Sequence, residues 1–258
     1  MSNVAFNIFG LDIYWYAIMI VSGMVLAMWV ASVLLKRKGH NPNEVIDFAI
    51  VVLPLAIIGA RLYYVLFTLD RNWTFMEILN IRGGGLAIYG GVIGGAIGVL
   101  LYCAWKKLSP LRWMDIIAPG LILAQAIGRW GNFFNQELYG YPTDLPWGIY
   151  IEPGNRIPGF ETYTHFHPLF LYESLWNLLG FAILFFVNRK YGKKLLDGEV
   201  TIAYFMYYSV GRFILEGMKI DVWTIAGFPT ARWISIITFI VCLGIIIYRR
   251  RKLRTIAQ

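Results

Sequence analysis

Charge is scarce in this chain. Only 15% of its 258 residues are Asp, Glu, Lys or Arg, while 58% are hydrophobic. Soluble domains carry about 25% charged residues, so this balance excludes an ordinary soluble globule and predicts a polytopic membrane protein. Metal-ligating residues are equally sparse, with two Cys and three His. Cys103 and Cys242 both lie inside apolar stretches and no CxxC or Cys/His spacing occurs, so neither a metal, a cofactor nor a disulfide is expected. The glycine-rich stretch 83–91 is not followed by Gly-Lys-Ser/Thr, which excludes a nucleotide-binding P-loop. No internal repeat is evident, against the paired halves of many transporters. The first 13 residues hold no Lys or Arg, and the first apolar run is too long for a signal-peptide core, so no cleavable leader is expected.

What the chain does have is long apolar runs. A spanning helix needs about 20 mostly apolar residues, and seven runs qualify: 11–35, 45–67, 85–105, 113–135, 168–187, 200–218 and 233–248. The net charge of +8 sits mostly in four short clusters, Lys36–Lys38, Lys106-Lys107, Arg189–Lys194 and Arg249–Arg254. All four fall on one side if the N-terminus is outside and the C-terminus cytoplasmic. Their partner is then the anionic leaflet surface, not a nucleic acid. The fold class expected is an all-α polytopic membrane protein of seven transmembrane helices, one integral domain over 1–258. The loop 136–167, rich in Pro, Gly and Tyr, forms an extracytoplasmic cap or arm.

Against this apolar background the run Gly128 to Gly140 stands out, with Arg129, Asn132, Asn135, Gln136 and Glu137. A guanidinium at the bilayer centre costs roughly 2.5–3.5 kcal/mol, so it needs a partner or a purpose. Arg129, Asn132 and Gln136 share a helix face. An arginine fork with amide donors suits a phosphate; the plainer alternative is a buried pair of Arg129 with Glu137 or Glu216. In the sixth run, Arg212, Glu216 and Lys219 follow at i, i+4 and i+7. These polar residues all fall toward the outer ends of their helices. In the third run Gly90, Gly94 and Gly98 recur every four residues, a spacing that lets helix backbones approach closely. Tyr89, set among glycines, has room to face a cavity. Tyr16 in the first run reads as an interfacial belt residue on its own. Arg61 and Asp115, one of each sign near mid-helix, predict a structural ion pair, and His165, His167 and Glu173 cluster where the fifth run begins.

Taken together these residues resemble the prolipoprotein diacylglyceryl transferase family. The likeness rests on Gly128 to Gly140 and extends to Trp15-Tyr16, Gly59-Ala60-Arg61, Gly84 to Gly91, Asp115, His167-Pro168, Tyr172-Glu173 and Arg212 to Glu216. It implies a bacterial multi-pass membrane enzyme with no cofactor, acting on phosphatidylglycerol and on the lipobox cysteine of a prolipoprotein signal peptide. The thiol attacks the glyceryl carbon, a thioether forms and glycerol phosphate leaves. It further implies phosphatidylglycerol binding by Arg129 and functional roles for Arg212, Tyr16, Asn132 and Gly140. With the other polar residues added, the catalytic set expected is Arg129, Arg212, Tyr89, Glu216 and Tyr16, and substrate binding falls to Arg129, Asn132, Asn135, Glu137, Gly140 and Arg212. Many family members carry histidine where this chain has Tyr89; an ordinary tyrosine pKa near 10 suits it poorly to general-base work. Glu137 or His167 is an alternative proton acceptor. The rival functions are an anion transporter or channel and a non-catalytic lipid-binding scaffold.

Overall fold

The computed structural model describes residues 3–71, 73–81, 84–192 and 194–256; Arg82, Gly83 and Lys193 lie outside the described residues. A β-hairpin, β1 (Val4–Ile8) and β2 (Leu11–Tyr14), precedes helices α1 (Trp15–Arg37), α2 (Glu44–Leu66), α3 (Phe75–Leu79), α4 (Ile88–Lys106) and α5 (Pro110–Asn135). After the short strands β3 (Ile149–Tyr150) and β4 (His165–Phe166) come α6 (Leu169–Tyr191) and α7 (Glu199–Glu216). A second small hairpin, β5 (Thr224–Ile225) with β6 (Phe228–Pro229), leads to α8 (Thr230–Ile256). Among the described residues, six helices are long and apolar enough to cross a membrane: α1, α2, α4, α5, α6 and α8. The expected sixth span, α7, is an 18-residue helix that holds Glu199, Arg212 and Glu216. Being only 18 residues long, it has no stretch of that length without all three charges, whereas each of the other six has one with two or fewer. Side chains such as Val21, Val25 and Trp29 on α1 and Ile237, Ile240 and Val241 on α8 are exposed, as lipid-facing residues should be.

The first apolar run begins later than expected. Leu11–Tyr14 pair as a strand with Val4–Ile8, because Phe9 and Gly10 both take positive φ and close a tight hairpin. Helix α1 therefore starts at Trp15.

The chain forms two compact units, Met1–Ala31 with Asp115–Gln258, and Ser32–Met114. In the second, α2 and α4 pack through small residues. A Cβ on Gly98 would stand 3.0 Å from the Val52 Cα, and one on Gly90 or Gly94 would strike α2 backbone. The glycines recurring every four residues thus face α2 and permit backbone contact, as their spacing predicts. Arg61, 7% exposed, does not need the Asp115 carboxylate predicted for it. Its Nε donates to the Ile78 carbonyl at 2.9 Å, NH1 to those of Gly84 and Gly85 at 2.8 and 2.9 Å, and NH2 to that of Glu77 at 2.6 Å. The guanidinium thereby ties α3 and the segment after it to α2.

In the first unit Asp115 has a different task. It accepts from the Gly198 N–H at 2.6 Å and from the N–H and hydroxyl of Thr201, both at 2.8 Å. A carboxylate there satisfies orphan donors at the start of α7 and complements its positive end. Nearby, Ala118, Ile122, Leu184, Val200 and Tyr204 form a core joining α5, α6 and α7. The segment 136–167 folds around Tyr139, Ile151 and Phe166, with the Tyr139 hydroxyl donating to the Asn155 carbonyl at 2.8 Å. Burial raises the Tyr139 pKa, so its hydroxyl stays a donor.

Candidate active site

Three helix ends of the first unit meet at one carboxylate. Glu173 sits in the first turns of α6, 8% exposed. Its Oε2 lies 2.5 Å from Arg129 Nε of α5, and its Oε1 3.7 Å from Arg212 NH1 of α7. Arg212 NH2 also pairs with Glu216 Oε2 at 3.0 Å, one turn further along its own helix. Lys219, just beyond α7, approaches both acids, at 3.6 Å from Glu173 and 3.7 Å from Glu216. Three cations against two carboxylates leave one positive charge. A small cleft of about 20 Å³ opens among Arg129, Glu173, Trp176, Asn177, Arg212 and Leu215. That holds about one water.

Local sequence explains how the helices come so close. Gly211 on α7 lies beneath the Trp176 indole, which stacks on Tyr207 at 4.8 Å. The Tyr207 hydroxyl donates to the Trp176 carbonyl at 2.7 Å, locking α6 to α7. Gly131 on α5 lies against the Tyr16 ring, and Trp15 stacks on Phe134 at 4.8 Å. Tyr16 is therefore seated beside the Arg129–Asn132 turn, although its sequence position alone suggested a belt residue.

The end of α5 turns sharply. Gln136 and Leu138 both take positive φ, and the Glu137 N–H donates to the Asn132 carbonyl at 3.0 Å. Glu137 does not pair with Arg129, the plainer alternative the sequence offered. Its Oε1 accepts from the Asn132 amide at 2.8 Å and the Asn135 amide at 3.3 Å. Arg129 is held by Glu173 in its place, not by Glu216 either. Gln136 turns away into the arm, accepting from the Glu152 N–H and the Asn155 amide at 2.8 and 3.0 Å.

Gly140 is a close-approach position. Its N–H donates to the His167 carbonyl at 2.9 Å, and an added Cβ would stand 2.8 Å from the Met218 carbonyl oxygen. Any larger residue would lift the arm from the segment after α7. His167 itself contacts the Tyr172 hydroxyl through Nδ1 at 3.1 Å, and that hydroxyl accepts from Trp147 Nε1 at 2.8 Å. Tyr89 belongs to the other compact unit, where it is 65% exposed at the start of α4 with its ring 6.1 Å from that of Tyr63.

Glu173 and Lys219 are the members of this cluster that sequence reasoning undervalued. In the sequence Glu173 sits in a group with His165 and His167, yet its position one turn into an apolar helix signals a buried acid.

A family model described as prolipoprotein diacylglyceryl transferase matches residues 3–248 of the chain. The chain is 45% identical over 257 residues to the phosphatidylglycerol–prolipoprotein diacylglyceryl transferase of Streptococcus uberis, covering 96% of this chain and 95% of that protein. It is 43% identical over 255 residues to the protein of the same name from Streptococcus pyogenes serotype M5, covering 94% and 93%.

Proposed function

The chain belongs to the prolipoprotein diacylglyceryl transferase family, and from that membership we propose how its charged cluster performs the transfer. It is a bacterial membrane transferase that moves the diacylglyceryl group of phosphatidylglycerol to the lipobox cysteine thiol of a prolipoprotein. The C–O bond between glyceryl carbon and phosphate breaks and a C–S bond forms. The electron pair leaves on the phosphate, and the thiol proton is released.

The observation that carries the site is the Glu173 carboxylate shared by Arg129 and Arg212. The single surplus positive charge of the cluster matches a phosphodiester monoanion. As the bond breaks, the phosphate gains negative charge, and two guanidiniums aimed at it stabilise that state more than the ground state. The same positive field lowers the pKa of an approaching thiol from its usual value near 8.5. Glu216 orients Arg212 at 3.0 Å, while Glu137 holds Asn132 and Asn135 in place for the headgroup. Tyr16 packs the near wall, and Gly140 keeps the arm down on its neighbour.

We also read α7 as the seventh span, its acids and arginine neutralised by neighbours instead of lipid. The basic ends of α1, α4, α6 and α8 then face the cytoplasm, with the N-terminus outside. The site opens on the extracytoplasmic face, under the arm 136–167 of a single integral domain. The test is a mass shift on a lipobox peptide in vesicles of phosphatidylglycerol. A diacylglyceryl adduct should form, and a Cys→Ser peptide should stay unmodified; adduct on the serine peptide, or none on the cysteine peptide, would overturn the assignment. An anion pathway through the same arginines would instead give solute flux and no adduct.

A further inference from the structure

The cluster holds one cation more than the two arginines that grip the phosphate. An ordinary surface lysine buries its stem and keeps its ammonium in water. Lys219 does the reverse. Its side chain is only 12% exposed, and Nζ points between Glu173 and Glu216. Its backbone is fixed as well. The Lys219 N–H donates to the Glu216 carbonyl at 3.3 Å, the Tyr141 N–H donates to the Met218 carbonyl at 3.2 Å, and Gly140 pairs with Lys219 as an antiparallel bridge.

We propose that Lys219 is a positioning residue for the transfer, whose ammonium takes over Glu173 and Glu216 when the arginines turn from them to the lipid phosphate. This deepens the reading above and rests on it. In the structure both arginines are engaged with Glu173. Leaving that buried carboxylate alone would be costly, because a broken buried pair strands a charge. Lys219 stands ready for the exchange. At 3.6 and 3.7 Å it makes charge contacts that are too long for hydrogen bonds, so a small advance would convert them. Glu216 Oε2 is buried and takes no aligned hydrogen bond, which leaves acceptor capacity facing that ammonium. A compact point charge with three rotatable donors can serve two acids without a fixed fork.

The groups around Lys219 that can carry charge are Arg129 of α5, Glu173 of α6, and Arg212 and Glu216 of α7. Tyr141 and His167 adjoin the Gly140 bridge to its backbone, the His167 N–H donating to the Tyr141 carbonyl at 3.0 Å. Burial lowers the Lys219 pKa, opposed by Glu173 and Glu216 and assisted by Arg212 and Arg129. The ammonium form is the working one, so transfer should fail as pH rises through this lowered pKa, earlier than an ordinary lysine would dictate. An arginine in its place keeps its charge throughout.

The experiment measures kcat and KM for phosphatidylglycerol in vesicles with a lipobox peptide, from neutral to alkaline pH, for the wild type, K219M and K219R. K219M should lose roughly tenfold or more in kcat/KM at neutral pH, chiefly through KM. K219R should restore the neutral rate and move the alkaline limb upward. Wild-type kinetics in K219M, or an unmoved limb in K219R, would overturn the proposal. If K219M does not fold, K219R decides alone by the same criterion. Wild-type activity in R129A would overturn the phosphate-gripping reading instead, so the two failures are distinct.

Discussion

Arg61 and Arg129 are both guanidiniums in apolar helices, yet they are held in opposite ways. Arg61 spends its donors on four backbone carbonyls of one connection. Those acceptors are part of the chain and cannot leave without unfolding it. Arg129 and Arg212 lean on carboxylates, and a carboxylate can be exchanged for a phosphate of like charge and geometry. On the proposed reading, the partner tells a structural arginine from a working one, since each costs the membrane the same. The two compact units differ likewise: glycines in backbone contact fix α2 against α4, whereas α5, α6 and α7 share an ion cluster.

The sharpest way to break this comparison is to cross the two arginines. Arg129→Ala should lower kcat/KM by at least ~10²-fold while the purified protein keeps its thermal unfolding midpoint in detergent. Arg61→Ala should do the reverse, lowering the midpoint and the folded yield, since four backbone carbonyls lose their donor. Equal effects of both substitutions on both measurements would erase the distinction.

A smaller but still large effect is expected at the glycine contact. Gly94→Leu should destabilise by about 1–3 kcal/mol or more, because the side chain has only α2 backbone to displace. Unchanged unfolding would mean that α2 and α4 are not held by close approach. Tyr89→Phe sharpens the comparison more gently. It removes a hydroxyl and preserves packing on Tyr63, so a several-fold fall in kcat at constant stability would assign the hydroxyl to chemistry. Unchanged kcat leaves Tyr89 a packing role alone.

The smallest effect belongs to Glu77, which stands on the Arg61-bound segment. Its hydrogen bonds to the Thr74 backbone and side chain, with help from Arg71, hold its pKa at about 2. The folded pKa is below the unfolded one, so this cap stabilises α3 above the usual carboxylate range and is lost as pH falls toward about 2. The exchange protection of the Glu77 amide, whose N–H donates to Thr74 Oγ1 at 3.3 Å, should fall on acidification once the intrinsic pH dependence of exchange is divided out. Glu77→Gln should flatten that dependence. A wild-type-like pH response in the variant would place the effect elsewhere.

Much of this molecule was legible in its residues. Hydropathy and helical spacing are local properties, so the long helices, the close-approach glycine face of α4 and the polar end of α5 could be read directly. The hairpin at Phe9-Gly10 was not, since Leu11–Tyr14 is as apolar as the helix it precedes and only the strand partner distinguishes it. Helix α7 carries its three charges in plain view, yet only its neighbours reveal why they are tolerated: Asp115 caps its start, and Arg212 and Glu216 join the cluster at its end.

Composition and periodicity act within a turn or two of chain, so they suffice for a bundle of apolar helices with guanidiniums near the ends of two of them. Which acid holds which arginine follows from how the helices pack. Glu173 reaches Arg129, Arg212 and Lys219 from a third helix, and Glu137, the nearer acid in sequence, turns instead to Asn132 and Asn135. Electrostatic partnership depends on distance in space, and distance between helices is set by how their glycines and aromatic rings pack.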